Sequence, residues 1–165
     1  MELLGVRVEL PTNTPIALLR ERDGQRRVLP ILIGGPEAAA IAFALDEVVT
    51  PRPLTHDLMK ILLDELDAVL ERVVVTELRE GTFFAELTLR TTAGVKVVSS
   101  RPSDAIALAA RTGTPIYADE AVLDEAGYIG GEDDDAEVDE EEAEEVVEQF
   151  KDFLDSVNPE DFGSA

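Results

Sequence analysis

An α+β domain, with helices packed on a mixed and largely antiparallel sheet, is predicted by three features of this 165-residue sequence. Short runs rich in Val, Leu and Ile, punctuated by glycine turns, read as strands. Three alanine- or leucine-rich stretches carry apolar residues at one-face helical spacing. The acids are concentrated at one end: residues 1–130 hold a net charge of −7 and residues 131–165 hold −15. The chain therefore divides into a single folded unit and an acidic C-terminal tail.

In chain order, Met1 to Leu10 alternates Leu3, Val6, Val8 and Leu10 with polar residues as a first strand, broken by Pro11 to Pro15. Ile16 to Arg22 and Arg26 to Ile33 are two more strands joined at Asp23-Gly24, a pair that tolerates the positive φ of a tight hairpin. Arg20, Arg22, Arg26 and Arg27 gather there. Charges blunting a strand edge are the plainer account, and contact with nucleic-acid phosphates is the sharper one. Leu29 to Val48 then passes from a buried-type strand through Gly34-Gly35-Pro36 into a helix. Its Ala38, Ala39, Ala40, Ala42 and Ala44 suit close packing on the sheet, and Glu37 favours the dipole in the first turn.

Pro51 and Pro53 hold the next linker extended, and Thr55 is a candidate cap. Leu58, Ile61, Leu62, Leu66 and Val69 form the apolar stripe of a helix running from Thr55 to Leu70. Arg72 to Glu80, Thr82 to Arg90 and Val95 to Ser99 form an antiparallel meander with turns at Glu80-Gly81 and Ala93-Gly94. Between Ser99 and Thr112 the pattern switches from strand to helix. Pro102 suits the first turn, Ser100 or Ser103 can cap the free amides, and Asp104 sits well with the dipole. Arg101 does not: a cation at a helix N-terminus needs a carboxylate or phosphate partner.

Gly113 to Ala118 reads as a short strand and Glu120 to Glu125 as a turn of helix; glycines 127, 130 and 131 end the domain. Residues 131–145 are so acidic that a disordered linker is expected. Over 146–158, Val146, Val147, Phe150, Phe153, Leu154 and Val157 recur at i, i+3, i+4 and i+7, which predicts an amphipathic helix. Such a helix can fold back on the domain or dock on a protein partner.

Composition narrows the chemistry. The absence of cysteine excludes disulfides, thiol catalysis and cysteine-ligated metals. The N-terminus lacks the basic start and apolar run of a signal peptide. No apolar segment approaches the ~18 residues of a membrane span, so no membrane association and a cytoplasmic location are expected. A net charge of −22 opposes general nucleic-acid binding unless local arginines or a bound cation reverse the field. No phosphate-cradling glycine motif, Ser/His/Asp triad spacing or H-E-x-x-H occurs.

Three islands, L-P-I-L-I-G at 29–34 continuing to Glu37-Ala38, R-P-L-T-H-D-L at 52–58 and S-R-P-S-D-A-I-A-L-A at 100–109, together resemble the bifunctional nuclease domain family over roughly residues 1–130. The ending F-K-D-F-L-D-S-V-N-P-E-D-F at 150–162 is similar to that of actinobacterial members. The resemblance implies an α+β domain with a mixed sheet, self-association into a homo-oligomer such as a dimer, and nuclease activity on DNA and RNA as in some members. Members with an additional interaction motif after the domain differ from this chain, which carries an acidic linker and terminal helix instead.

The islands bring no catalytic set with them, so the site is argued from chemistry. Three helix starts, at Glu37, at Thr55 to Asp57 and at Ser103 to Asp104, offer amides, carboxylates and the chain's one imidazole to a common cleft if they converge. Metal-assisted phosphodiester cleavage needs carboxylates for Mg²⁺ or Mn²⁺, a base, and a cation for the developing charge. Glu37, Asp57 and Asp104 are the candidate ligands; His56, with Asp57, Asp104 and Arg101, is the candidate catalytic set; Arg52 and Ser103 are candidate phosphate contacts. The competing account pairs Arg52 and Arg101 internally with Glu37, Asp57 or Asp104, and gives His56 no chemistry. Two functions follow from these alternatives. One is a divalent-metal-dependent nuclease hydrolysing phosphodiester bonds of DNA, RNA or both. The other is a non-enzymatic regulatory or adaptor protein binding a partner through its domain surface and terminal helix. Between them stands a tail that covers and restrains an active site.

Overall fold

The computed structural model describes residues 1–9 and 12–129, so the acidic linker at 131–145 and the helix expected over 146–158 lie outside the described residues. The fold is α+β, and its strands form two four-stranded sheets where the sequence suggested one. In the first, β1 (Glu2–Glu9), β2 (Thr14–Arg20), β3 (Arg27–Leu32) and β8 (Tyr128–Ile129) pair antiparallel in that order. In the second the order is β6 (Gly94–Ser100), β5 (Thr82–Thr91), β4 (Val69–Arg79) and β7 (Ile116–Ala118). Here β6, β5 and β4 form the antiparallel meander, and β7 runs parallel to β4 after a crossover through α3 (Pro102–Thr112).

Small side chains decide the packing between the sheets. The helix α1 (Gly35–Leu45) packs on β1 and β2, α3 packs on β4 and β5, and the two helices pack on each other. Ala38 and Ala39 of α1 and the run Ala105 to Ala109 of α3 are buried there. Alanine lets both backbones approach closely while Ile41, Ile106 and Leu108 fill the space against Leu19, Leu29, Val73 and Val75. Glycine at 113 ends α3 in the left-handed conformation at φ 67°. The short helix α4 (Glu120–Ala126) is tied to β3 by Arg27, which bonds Glu21, Glu120 and Asp124 at 2.7–2.9 Å.

Three expectations need correction. The hairpin between β2 and β3 is a six-residue turn over 21–26, closed by the Glu21 N–H donating to the Arg27 carbonyl at 2.9 Å. Its strands lie inside their sheet, so its arginines blunt no edge; Arg20 pairs with Glu2 and Arg27 is buried. The helix α2 (Thr55–Glu65) stops short of Leu70, because the chain turns through Asp67 at φ 52° and Val69 opens β4. Finally, on α2, Leu58, Ile61, Leu62 and Leu66 lie outward, Met59 and Leu63 pack against the core, and only His56 is buried. Among the described residues no helix is long and apolar enough to cross a membrane.

Candidate active site

The first turns of α1, α2 and α3 meet at one cleft of about 260 Å³, lined by Pro36, Glu37 and Ala40, by Leu54, Thr55 and His56, and by Arg101 and Asp104. Each helix enters without a side-chain cap on its N-terminal residue: Gly34, Leu54 and Arg101 hold those positions. Ser100, Ser103 and Thr55 therefore do not cap as the sequence suggested. In α3 the cap position falls on Arg101 with Pro102 beginning the helix. In α1, Gly34 makes room for the Glu37 carboxylate to fold back over the helix start, since a methyl group at Gly34 would collide with Glu37 Oε2.

Arg101 holds the cluster together. Its guanidinium bonds Asp104 through Nε at 2.8 Å and Nη2 at 3.1 Å, and reaches Glu37 Oε1 through Nη1 at 2.8 Å. The cation that was out of place at a helix start thus has two carboxylate partners. Asp104 also lies 3.2 Å from Nε2 of His56, whose side chain is only 9 % exposed. Either ring tautomer is compatible with the heavy-atom positions. With Nε2 protonated, the imidazole donates to Asp104 and is held in one orientation. Burial pushes the Asp104 carboxyl up, but the bonds from Arg101 and His56 more than offset this and hold it below its ordinary value. The Asp104 carboxylate, and after it that of Glu37, raises Arg101 above its ordinary value.

Asp57 takes a different partner. It accepts from Arg111 Nε at 2.5 Å and from the Leu54 N–H at 2.9 Å, which is the helix-capping role of a residue at the third helical position. Burial raises its carboxyl, and these two bonds bring the balance below the ordinary value. Glu37, Asp57 and Asp104 consequently do not form one ligand set: Arg101 stands between two of them and Arg111 takes the third. Among the described residues no group of three or more His, Asp and Glu side chains is placed to hold a metal ion. Arg52 is exposed and Ser103 is buried in α3, and neither lines the cleft.

Arg111 was not singled out by the sequence. A cation in the last turn of α3 needs no more explanation than the helix dipole. In the folded chain it donates to the Ala40 carbonyl at 2.8 Å as well as to Asp57, so one buried guanidinium joins the three helices that line the cleft. No local spacing announces this, because Arg111 and Asp57 are 54 residues apart.

The arrangement offers an oriented imidazole, a guanidinium at the mouth of the cleft and three helix N-termini that favour anionic oxygen. A family model described as the bifunctional nuclease domain matches residues 17–129. Uncharacterized proteins from two strains of Mycobacterium tuberculosis are each 49% identical over 162 residues, spanning 98% of this chain and 96% of theirs. Bifunctional nuclease 1 of Arabidopsis thaliana is 29% identical over 125 residues, 70% of this chain and 38% of that protein. By the match over most of its folded residues, this chain belongs to the bifunctional nuclease domain family.

Proposed function

We propose that the domain hydrolyses phosphodiester bonds of DNA or RNA in the cleft between α1, α2 and α3. The observation that carries this reading is the His56–Asp104–Arg101 chain of contacts at a point where three helix N-termini converge. In the proposed reaction His56 Nδ1, the ring nitrogen not bonded to Asp104, takes a proton from the attacking water as the water oxygen bonds to phosphorus; the bond from phosphorus to the leaving ester oxygen breaks, and that oxygen takes a proton from solvent. Asp104 orients the ring and stabilises its charge. Arg101, 65% exposed, swings from Glu37 towards the phosphate and stabilises the charge that develops there. No step is assigned to a metal ion, and Mg²⁺ or Mn²⁺ dependence enters as a variable of the assay.

The test is cleavage of end-labelled single- and double-stranded DNA and RNA by the full chain, with and without Mg²⁺ or Mn²⁺, beside His56→Gln and Asp104→Asn. Loss of general-base catalysis lowers the rate about 10²–10⁴-fold. Equal cleavage by all three proteins assigns the activity elsewhere and refutes the site. A second reading, a non-enzymatic binding protein, draws on one specific observation: Glu37, Arg101, Asp104 and His56 already satisfy one another. It expects no cleavage by any of the three proteins.

A further inference from the structure

The helix α2 presents an apolar stripe that nothing among the described residues covers. Leu58, Ile61, Leu62 and Leu66 follow one face at i, i+3, i+4 and i+8, and are 48, 43, 50 and 70% exposed. Four large aliphatic side chains in one row are not the scattered apolar residues of an ordinary surface. Independently of the nuclease reading, we infer that this stripe is the docking surface for the chain's own C-terminal segment, residues 146–157.

Three features select that occupant. Val146, Val147, Phe150, Phe153, Leu154 and Val157 give the segment a stripe of the same period that spans the whole length of the one on α2. Two such stripes in register bury each other as in a helix pair. The tether is long enough: from Ile129 to Val146 the chain reaches up to ~56 Å at 3.3 Å per residue. A domain of this size is about 36 Å across. Tethering also lowers the affinity required. At an effective concentration of about 1 mM, a contact with an intrinsic Kd of about 100 µM is roughly 90% formed.

Charge opposes the contact and so identifies its nature. Both the domain and residues 131–165 are net negative, and each stripe is flanked by a single lysine, Lys60 or Lys151, among acids. Apolar burial drives the docking against this repulsion, and salt strengthens it by screening.

The chain contains no tryptophan, so Phe153→Trp supplies a single tryptophan in the full-length protein, excited selectively beyond the absorption of its two tyrosines. Its emission is expected to be blue-shifted relative to the same residue in the isolated 132–165 peptide, and to move further to the blue with added NaCl. Adding Leu62→Glu, a substitution at a half-exposed position that leaves the core untouched, should return the emission to that of the peptide. Emission equal to that of the peptide in the full chain overturns the proposal. So does a blue shift that survives Leu62→Glu, or one released by salt. A blue shift lost on dilution, with a dimer mass by light scattering, assigns the stripe to a second copy and also overturns it.

Discussion

Arg111 and Arg101 have different jobs in this structure, and replacing each with methionine separates them. The Arg111 side chain is 8% exposed and links α1, α2 and α3. The carbonyls of Ala40 and Ala107 lie within helices and keep helical partners when the guanidinium is gone. Asp57, one-third exposed, keeps only the Leu54 N–H. Removing one partner of a fully buried ion pair costs ~3–5 kcal/mol. The partial exposure of Asp57 brings Arg111→Met to about 2–3 kcal/mol, the scale of a charged hydrogen bond. At a urea m value of about 1.5 kcal/mol/M this lowers the unfolding midpoint by ~1.5 M. Arg101 is 65% exposed, and its contacts are screened by water, so Arg101→Met costs at most ~1 kcal/mol. Far-UV circular dichroism across a urea titration of the full chain measures both. An Arg111→Met shift below ~0.5 M, or one no larger than that of Arg101→Met, refutes the assignment of Arg111 as the tie between the three helices.

Acid should weaken the fold through the same groups. Asp57 and Asp104 are held below their ordinary value when folded, so the unfolded chain binds more protons and stability rises with pH. That contribution is present above the unfolded value of about 3.9 and is lost as pH falls below it towards the folded values. Urea midpoints at pH 6 and pH 3.5 should differ less in Arg111→Met than in the parent protein; an unchanged difference counts against the Asp57 assignment. In the core, Ile106 is fully buried between the two sheets, and Ile106→Ala should cost about 3 kcal/mol, measured in the same titration.

Much of the fold is legible because its causes are local. Strands β4 to β6 and their turns follow from residues a few positions apart, as do the helices α1 and α3 with proline in their first turns. Arg101 is the clearest case at the site: its conflict with the helix dipole requires an anionic partner, and the partner at i+3 is Asp104. The stripe on α2 shows where local reasoning stops. Its spacing specifies an amphipathic helix but not the surface it meets, and in the described residues α3 packs on the side that carries His56 and leaves Leu58, Ile61, Leu62 and Leu66 outward.

Spacing along the chain was enough to specify the helix starts, the meander, the family and a candidate set of residues. Which arginine takes Glu37 and which takes Asp57 was decided by packing. Glu37, Asp57 and Asp104 are chemically alike in the sequence, and only Asp104 lies within local reach of Arg101; the alanine contact between α1 and α3 brings Glu37 to Arg101, and the packing of α2 on α3 brings Asp57 to Arg111. Those pairs span up to 64 positions, a range over which side-chain period carries no information and only the filling of a common core sets the distance.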